Sequence, residues 1–160
     1  PECEALLTAS PRIMGLDGDA KMSKSRGNAI GLQESREQIW AKLSVAPTDP
    51  ARVRRSDPGN PEKCNIFSYH QLVTPEPERS EKIAHGCRTA GIGCVDCKRV
   101  LLQHLMEELD PIQQRYRELS ARPAQMREAL EANAQSCRAD AGRTILEVKE
   151  KMGLARTWKI

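Results

Sequence analysis

Val95-Asp96-Cys97-Lys98-Arg99-Val100-Leu101-Leu102-Gln103-His104-Leu105-Met106-Glu107-Glu108-Leu109 is the run whose reading decides the fold. Val100, Leu101, Leu105, Met106 and Leu109 recur at steps of one, three or four, and Ile112, Tyr116 and Leu119 continue the spacing. Such steps place side chains on one face of a 3.6-residue helix, so the run predicts a long amphipathic helix. Pro111 lies inside it, lacks an N–H and crowds the carbonyl four residues back, so a kink or a division in two is expected there. A second stripe, Met126, Leu130, Ala134, Cys137, Ala141, Ile145, Val148 and Met152, opens at Pro123 and stops before Gly153. The two stripes can bury each other as an antiparallel pair, and core packing is the expected role of these positions, Cys137 included.

Towards the N-terminus the pattern shortens. The glycine-rich stretch Gly86 to Gly93 is preceded by a short helix over Glu78 to His85. Before that, Asn60 caps and Pro61 opens a helix carrying Ile66, Phe67, Tyr69, His70 and Val73, ended by Thr74 to Pro77. Pro47 to Pro61 is a turn-rich linker, and a helix with Ile39, Trp40 and Leu43 on one face starts near Gln33 to Glu37. Residues 1 to 33 read as irregular. Only 3% of the chain is aromatic and 39% is apolar, so the core rests on Leu, Ile, Val, Met and Ala. That composition favours packed helices over a sheet, and the fold class is all-α. No stretch is apolar enough to span a membrane, and no secretory leader is visible. The chain starts at Pro1 without Met, so an upstream portion is expected. Net charge is +3, too small for a general nucleic-acid binder, and it is carried between Ala51 and Arg99. That excess reads either as a solvated surface or as a modest basic face for phosphates.

Two motifs carry chemistry. Lys21-Met22-Ser23-Lys24-Ser25 follows Gly15-Leu16-Asp17-Gly18 and precedes Arg26-Gly27-Asn28. Two lysines two residues apart can approach one polyphosphate, and Ser23 and Ser25 add donors for phosphate oxygens. The second motif is four cysteines. Twenty-two residues separate Cys64 from Cys87, six separate Cys87 from Cys94, and two separate Cys94 from Cys97. The closing Cys-x-x-Cys starts a helix, where two thiolates can point at one metal. A closed four-cysteine centre is expected, either Zn²⁺ or a [4Fe–4S] cluster. One short pair plus two distant single cysteines leans towards the cluster, because zinc sites usually show two short pairs. Cys3 and Cys137 stand outside it, and a surface or packing role is expected for His70, His85 and His104. Arg88, Lys98 and Arg99 flank the ligands, where they either meet RNA phosphate or balance the thiolate charge.

On these residues the sequence resembles the class I aminoacyl-tRNA synthetases, whose second signature is this lysine–serine motif. Thr48 to Glu62 and the closing Glu147 to Leu154 resemble the tryptophan branch in particular. The resemblance implies residues 1 to 33 as the tail of a Rossmann-type α/β catalytic domain otherwise missing. It implies residues 34 to 160 as a helical anticodon-binding domain with its four-cysteine centre at 64 to 97. Lys21 and Lys24 would hold the pyrophosphate of ATP, present with Mg²⁺, while Met22, Ser23 and Ser25 shape the loop around the nucleotide. A bacterial subset of this branch carries a [4Fe–4S] cluster on this cysteine pattern, which favours the cluster, with Zn²⁺ in reserve. The implied partners are tRNA(Trp), ATP and tryptophan, in a cytoplasmic homodimer. The family's first signature, His-x-Gly-His, is absent, so the chain is expected to be a C-terminal piece, inactive alone. The tyrosine branch, a stand-alone iron–sulfur or zinc RNA-binding module and a ferredoxin-like carrier are the rival readings.

Overall fold

Ser35 opens the first helix with a reciprocal cap. Its hydroxyl accepts from the Gln38 N–H (3.3 Å) while the Gln38 side chain accepts from the Ser35 N–H (2.8 Å). The computed structural model describes residues 2–8, 10–74 and 76–154, as five α-helices. They are α1 (Arg36–Val45), α2 (Asn65–Val73), α3 (Pro77–Arg88), α4 (Cys94–Ser120) and α5 (Pro123–Lys151). Among the described residues there is no strand beyond an isolated antiparallel bridge between Met14 and Lys21, so the all-α expectation holds. None of these helices is long and apolar enough to cross a membrane.

The chain divides into two compact units inside α4, Pro1–Gln113 and Gln114–Ile160. In the first, Ile39 and Leu43 of α1, Ile66 and Tyr69 of α2, and Leu101, Leu102, Leu105, Met106 and Leu109 of α4 form one buried core. Leu16 belongs to it and Met22 and Ile30 pack against it, so residues 16–30 of the irregular stretch are seated on the helices. A smaller cluster, Phe67, Ile83 and Ala84, joins α2 to α3, and Cys64 and Cys97 pack against both clusters.

Four local expectations change. The helix foreseen from Pro61 is split: Asn60 caps a 3-10 turn over Pro61–Lys63, and α2 starts afresh after Cys64. The helix foreseen over Glu78 to His85 runs from Pro77 through Gly86 to Arg88. Ile92 folds back on Gly86, so that a Cβ there would lie a tight 3.2 Å from its side chain, and donates its N–H to the Gly86 carbonyl (3.1 Å). Pro111 does not divide α4. It and Glu107 sit on the exposed side, so the carbonyl that loses its N–H partner is solvated.

The last change concerns α5. It begins at Pro123 and ends at Gly153 in a left-handed conformation (φ +70°), with the Leu154 N–H returning to the Lys149 carbonyl (2.7 Å). Both ends match expectation, but none of its residues is buried, and Cys137 is exposed. The foreseen mutual burial of two stripes is therefore corrected. The buried stripe of α4 ends at Leu109 and is occupied by α1 and α2, while Ile112 and Tyr116 lie about half exposed.

Leu101→Ala, at a site with 0% exposure, should therefore destabilise the first unit by about 2–5 kcal/mol in urea unfolding. Leu130→Ala on the open face of α5 should stay within about 0.5 kcal/mol of the parent.

Candidate functional site: the lysine–serine loop and the cysteine pocket

The loop stands on a stem built by its own backbone. The Gly15 N–H donates to the Ala20 carbonyl (2.7 Å), the Met22 N–H to Ile13 (2.9 Å) and the Leu16 N–H to Asn28 (2.9 Å). Asn28 is 5% exposed and serves as the internal pin. Its side-chain oxygen accepts from the Ser23 N–H (2.8 Å), and its amide donates to the Asp17 carboxylate (2.7 Å) and the Lys21 carbonyl (3.3 Å). That amide bond is the main cause of a lowered Asp17 pKa. Gly15 must be glycine, because a Cβ there would stand 2.0 Å from the Asn28 amide nitrogen. Lys24–Arg26 forms a 3-10 turn closed by Gly27 at φ +68°, and the Ser23 and Ser25 hydroxyls bond each other (2.9 Å). Lys21 and Lys24 are exposed, and Lys24 with Met22 and Ser23 edges an open cavity of about 770 Å³.

Helix α2 holds this stem in place. Asn65 and Tyr69, four residues apart on one helical face, donate to the carbonyls of Gly15 (2.8 Å) and Met14 respectively. Burial, with the nearby Asp17 charge second, pushes the Tyr69 phenol up to about 12, so it remains a donor.

The same helix borders the cysteines. Cys64 precedes α2, Cys87 lies in the last turn of α3, and Cys94 and Cys97 lie in the first turn of α4. All four are half-buried and line one enclosed cavity of about 20 Å³ together with Arg52, Ile66 and Ile92. Among the described residues no group of three or more His, Cys, Asp or Glu is placed to hold one metal ion as it stands.

Burial is the largest cause raising the Cys97 thiol, to about 12, and the neighbouring cysteines add to it. Burial likewise raises Cys87, against the opposing charge of Arg52. Without a cation these sulfurs stay protonated; a metal would supply the charge that makes them thiolates.

Residues outside the sequence motifs shape this pocket. Arg52 reaches towards the Cys87 sulfur (4.0 Å) and donates to the carbonyls of Arg55 and Ile92 (2.8 Å each). Its buried Nε has no partner among the described residues. Gly59 donates its N–H to the Cys87 carbonyl (2.9 Å), and a Cβ there would lie 2.7 Å from the Cys87 sulfur. His70, wholly buried, sets Nε2 3.3 Å from the Cys97 sulfur and 3.2 Å from its carbonyl oxygen. Burial lowers the His70 pKa to about 4, so the ring is neutral. The glycine between Pro58 and Asn60 was visible in sequence only as a turn residue, and His70 only as part of an apolar helix face.

The flanking cations separate. Lys98 is buried, and its ammonium donates to the Ser44 (2.8 Å) and Ala46 (2.7 Å) carbonyls at the end of α1. It ties α4 to a helix C-terminus, which corrects the expectation that it meets RNA. Arg88 is paired with Glu62 and Glu81, and Arg99 lies over the Trp40 ring at 5.6 Å from its centre. His104 is buried as expected, while His85 is exposed.

The thiol environments differ enough to be read by alkylation. In metal-free protein at pH 8, iodoacetamide should modify exposed Cys137 at least about tenfold faster than Cys97, because the thiolate is the nucleophile. Equal rates, measured by peptide mass spectrometry, would contradict the buried placement.

Residues 2–110 match the family described as tRNA synthetases class I (W and Y). The tryptophan–tRNA ligase of Deinococcus radiodurans is 55% identical over 145 residues, covering 91% of this chain and 44% of the relative. That of Thermotoga maritima is 42% identical over 154 residues, covering 96% and 47%. Tryptophanyl-tRNA synthetase from Campylobacter jejuni, solved with ADP and tryptophan, matches with a TM-score of 0.79 and 28% identity over 89% of this chain and 44% of that one. The chain thus spans less than half the length of these relatives. With the lysine–serine loop, the helices behind it and more than half of its residues matched together, the chain belongs to the class I tRNA synthetases of the tryptophan and tyrosine type.

Proposed function

We propose that the chain supplies the ATP-contacting loop and the tRNA-facing helices of a tryptophan–tRNA ligase, which activates tryptophan with ATP and Mg²⁺ and transfers it to tRNA(Trp). The observation that carries this reading is the lysine–serine loop, folded on an Asn28-pinned stem with Lys21 and Lys24 exposed and Lys24 beside an open cavity. As the tryptophan carboxylate attacks the α-phosphate, negative charge grows on the departing pyrophosphate. Two ammonium groups on a pre-folded loop stabilise that charge without reorganising at the moment of reaction. Met22, Ser23 and Ser25 shape the loop around the nucleotide. In this reading residues 1–33 end a catalytic domain and residues 34–160 receive the anticodon. Arg88 and Arg99 are the cations offered to RNA, and the enzyme works as a cytoplasmic homodimer.

Lys24→Ala in a full-length ligase carrying this chain should lower the rate of ATP–pyrophosphate exchange by about 2–4 kcal/mol of barrier, with tryptophan affinity little changed. The 160-residue chain alone, which lacks a His-x-Gly-His, should show no exchange. A loss confined to tryptophan binding, or exchange by the chain itself, would count against the assignment.

The four cysteines would hold a [4Fe–4S] cluster. What supports it is the donor set: four thiols on one enclosed cavity, at the spacing of one short pair and two single cysteines. When bound, such a group ties together the segment from Cys64 to Cys97. A single Zn²⁺ on the same thiolates is favoured by one observation, the present cavity volume of about 20 Å³. Anaerobically purified protein should be brown, with iron and sulfide in near-equal amounts and little zinc. Cys94→Ser should abolish the colour, while Cys137→Ser, at an exposed position, should leave cluster and stability unchanged. Colourless protein with one bound zinc would select the second reading, and metal-free protein would defeat both.

A further inference from the structure

The buried histidines His70 and His104 have no part in the function above, yet the fold joins them in a continuous chain ending on a cysteine. His104 Nδ1 lies 3.1 Å from the Thr74 hydroxyl, which lies 3.2 Å from His70 Nδ1. His70 Nε2 then faces the Cys97 carbonyl (3.2 Å) and sulfur (3.3 Å). The two rings meet edge to face, 6.2 Å between centres, with 0% and 5% exposure. Such burial of polar groups is unfavourable unless every donor finds an acceptor.

The carbonyl fixes the direction of this chain. A backbone oxygen can only accept, so Nε2 of His70 must carry the proton. Nδ1 is then an acceptor and takes the Thr74 hydroxyl proton, and the Thr74 oxygen in turn accepts from His104 Nδ1–H. The result is one N–H held between the carbonyl and the sulfur of Cys97, in a tautomer that two further residues enforce.

We propose that His70 is a positioning residue for the metal centre, donating its Nε2–H to Cys97 when that sulfur is a bound thiolate, with Thr74 and His104 fixing its tautomer. The proposal rests on the reading that the four thiolates hold an iron–sulfur cluster. A thiolate in a buried pocket is stabilised by a donor aimed at its lone pair, and such a bond draws electron density from the metal–sulfur bond. Cys97 would then have a ring N–H aimed at its sulfur, whereas Cys87 has the long approach of Arg52 at 4.0 Å.

The test uses the chain reconstituted anaerobically with iron and sulfide, as wild type, His70→Phe, His70→Gln and Thr74→Val. Each is followed by resonance Raman spectroscopy of the terminal Fe–S stretches and by the rate of iron release to a chelator. His70→Phe should raise a terminal Fe–S frequency and release iron at least about tenfold faster, because the donor to the bound sulfur is lost. Thr74→Val should shift both in the same direction by less, and His70→Gln, whose amide can place an N–H near the same point, should restore the wild-type frequency. A purely structural role would change the release rate without the frequency shift or its rescue, and that result overturns the proposal. If His70→Phe fails to fold by circular dichroism, Thr74→Val and His70→Gln decide it, and a wild-type frequency with no shift in Thr74→Val overturns it. A wild-type chain that takes up no iron and sulfide overturns the reading of the four thiolates, and this inference with it.

Discussion

Helix α2 is the constraint on which both sites depend. A nine-residue helix turns successive side chains through 100°, so neighbours in sequence face different parts of the molecule. Asn65 and Tyr69 share one face and hold the carbonyls of Gly15 and Met14 at the stem of the lysine–serine loop. Cys64, just before the helix, lines the cysteine pocket, and His70, one step from Tyr69, reaches Cys97. Ile66 packs in the core between the two systems and also lines the cysteine cavity. A displacement of α2 would therefore be felt at both. The short length of the helix makes this economical: it is bonded at both ends and on two faces, and has little freedom of its own.

Several charged groups act through the backbone. Lys98 is buried beside the cysteine pocket, and burial lowers its pKa, but its ammonium has two carbonyl partners at the end of α1. Helix C-termini leave carbonyls without intrahelical donors, and a lysine from α4 supplies one. Arg52 donates to the loop carbonyls of Arg55 and Ile92 and brings a positive charge to the Cys87 side of the pocket. Asp49 accepts from the N–H groups of Asn60 (2.7 Å) and Ala51 (3.0 Å), which fixes the proline-rich linker so that Arg52 and Gly59 arrive beside Cys87. The bond from Asn60 is the larger reason that the Asp49 pKa is lowered.

Local patterning carried much of the architecture. The stripe Val100 to Leu109 specified a helix because its period matches 3.6 residues, and Pro123 and Gly153 marked the ends of α5 because one lacks an N–H and the other tolerates positive φ. Pro111 does not divide α4, since it and Glu107 lie on the exposed side where water can serve the orphaned carbonyl, and sequence does not show which side of a helix meets water. The stripe of α5 misled for a related reason. Periodicity says that one face is apolar, but not whether another element has reached it.

By itself the sequence determined the helices, the loop Lys21-Met22-Ser23-Lys24-Ser25 and the set of four cysteines, since each is written in spacing over a short range or in residue chemistry. Only the tertiary structure decided which neighbours complete them. Asn28 became the pin of the loop, Lys98 a helix cap instead of a surface cation, and His70 a partner of Cys97. Those assignments depend on contacts between residues 5, 27 and more than 50 positions apart, closed by the packing of α1, α2 and α4. A hydrogen bond acts over about 3 Å, and chain spacing cannot report a distance that packing alone sets.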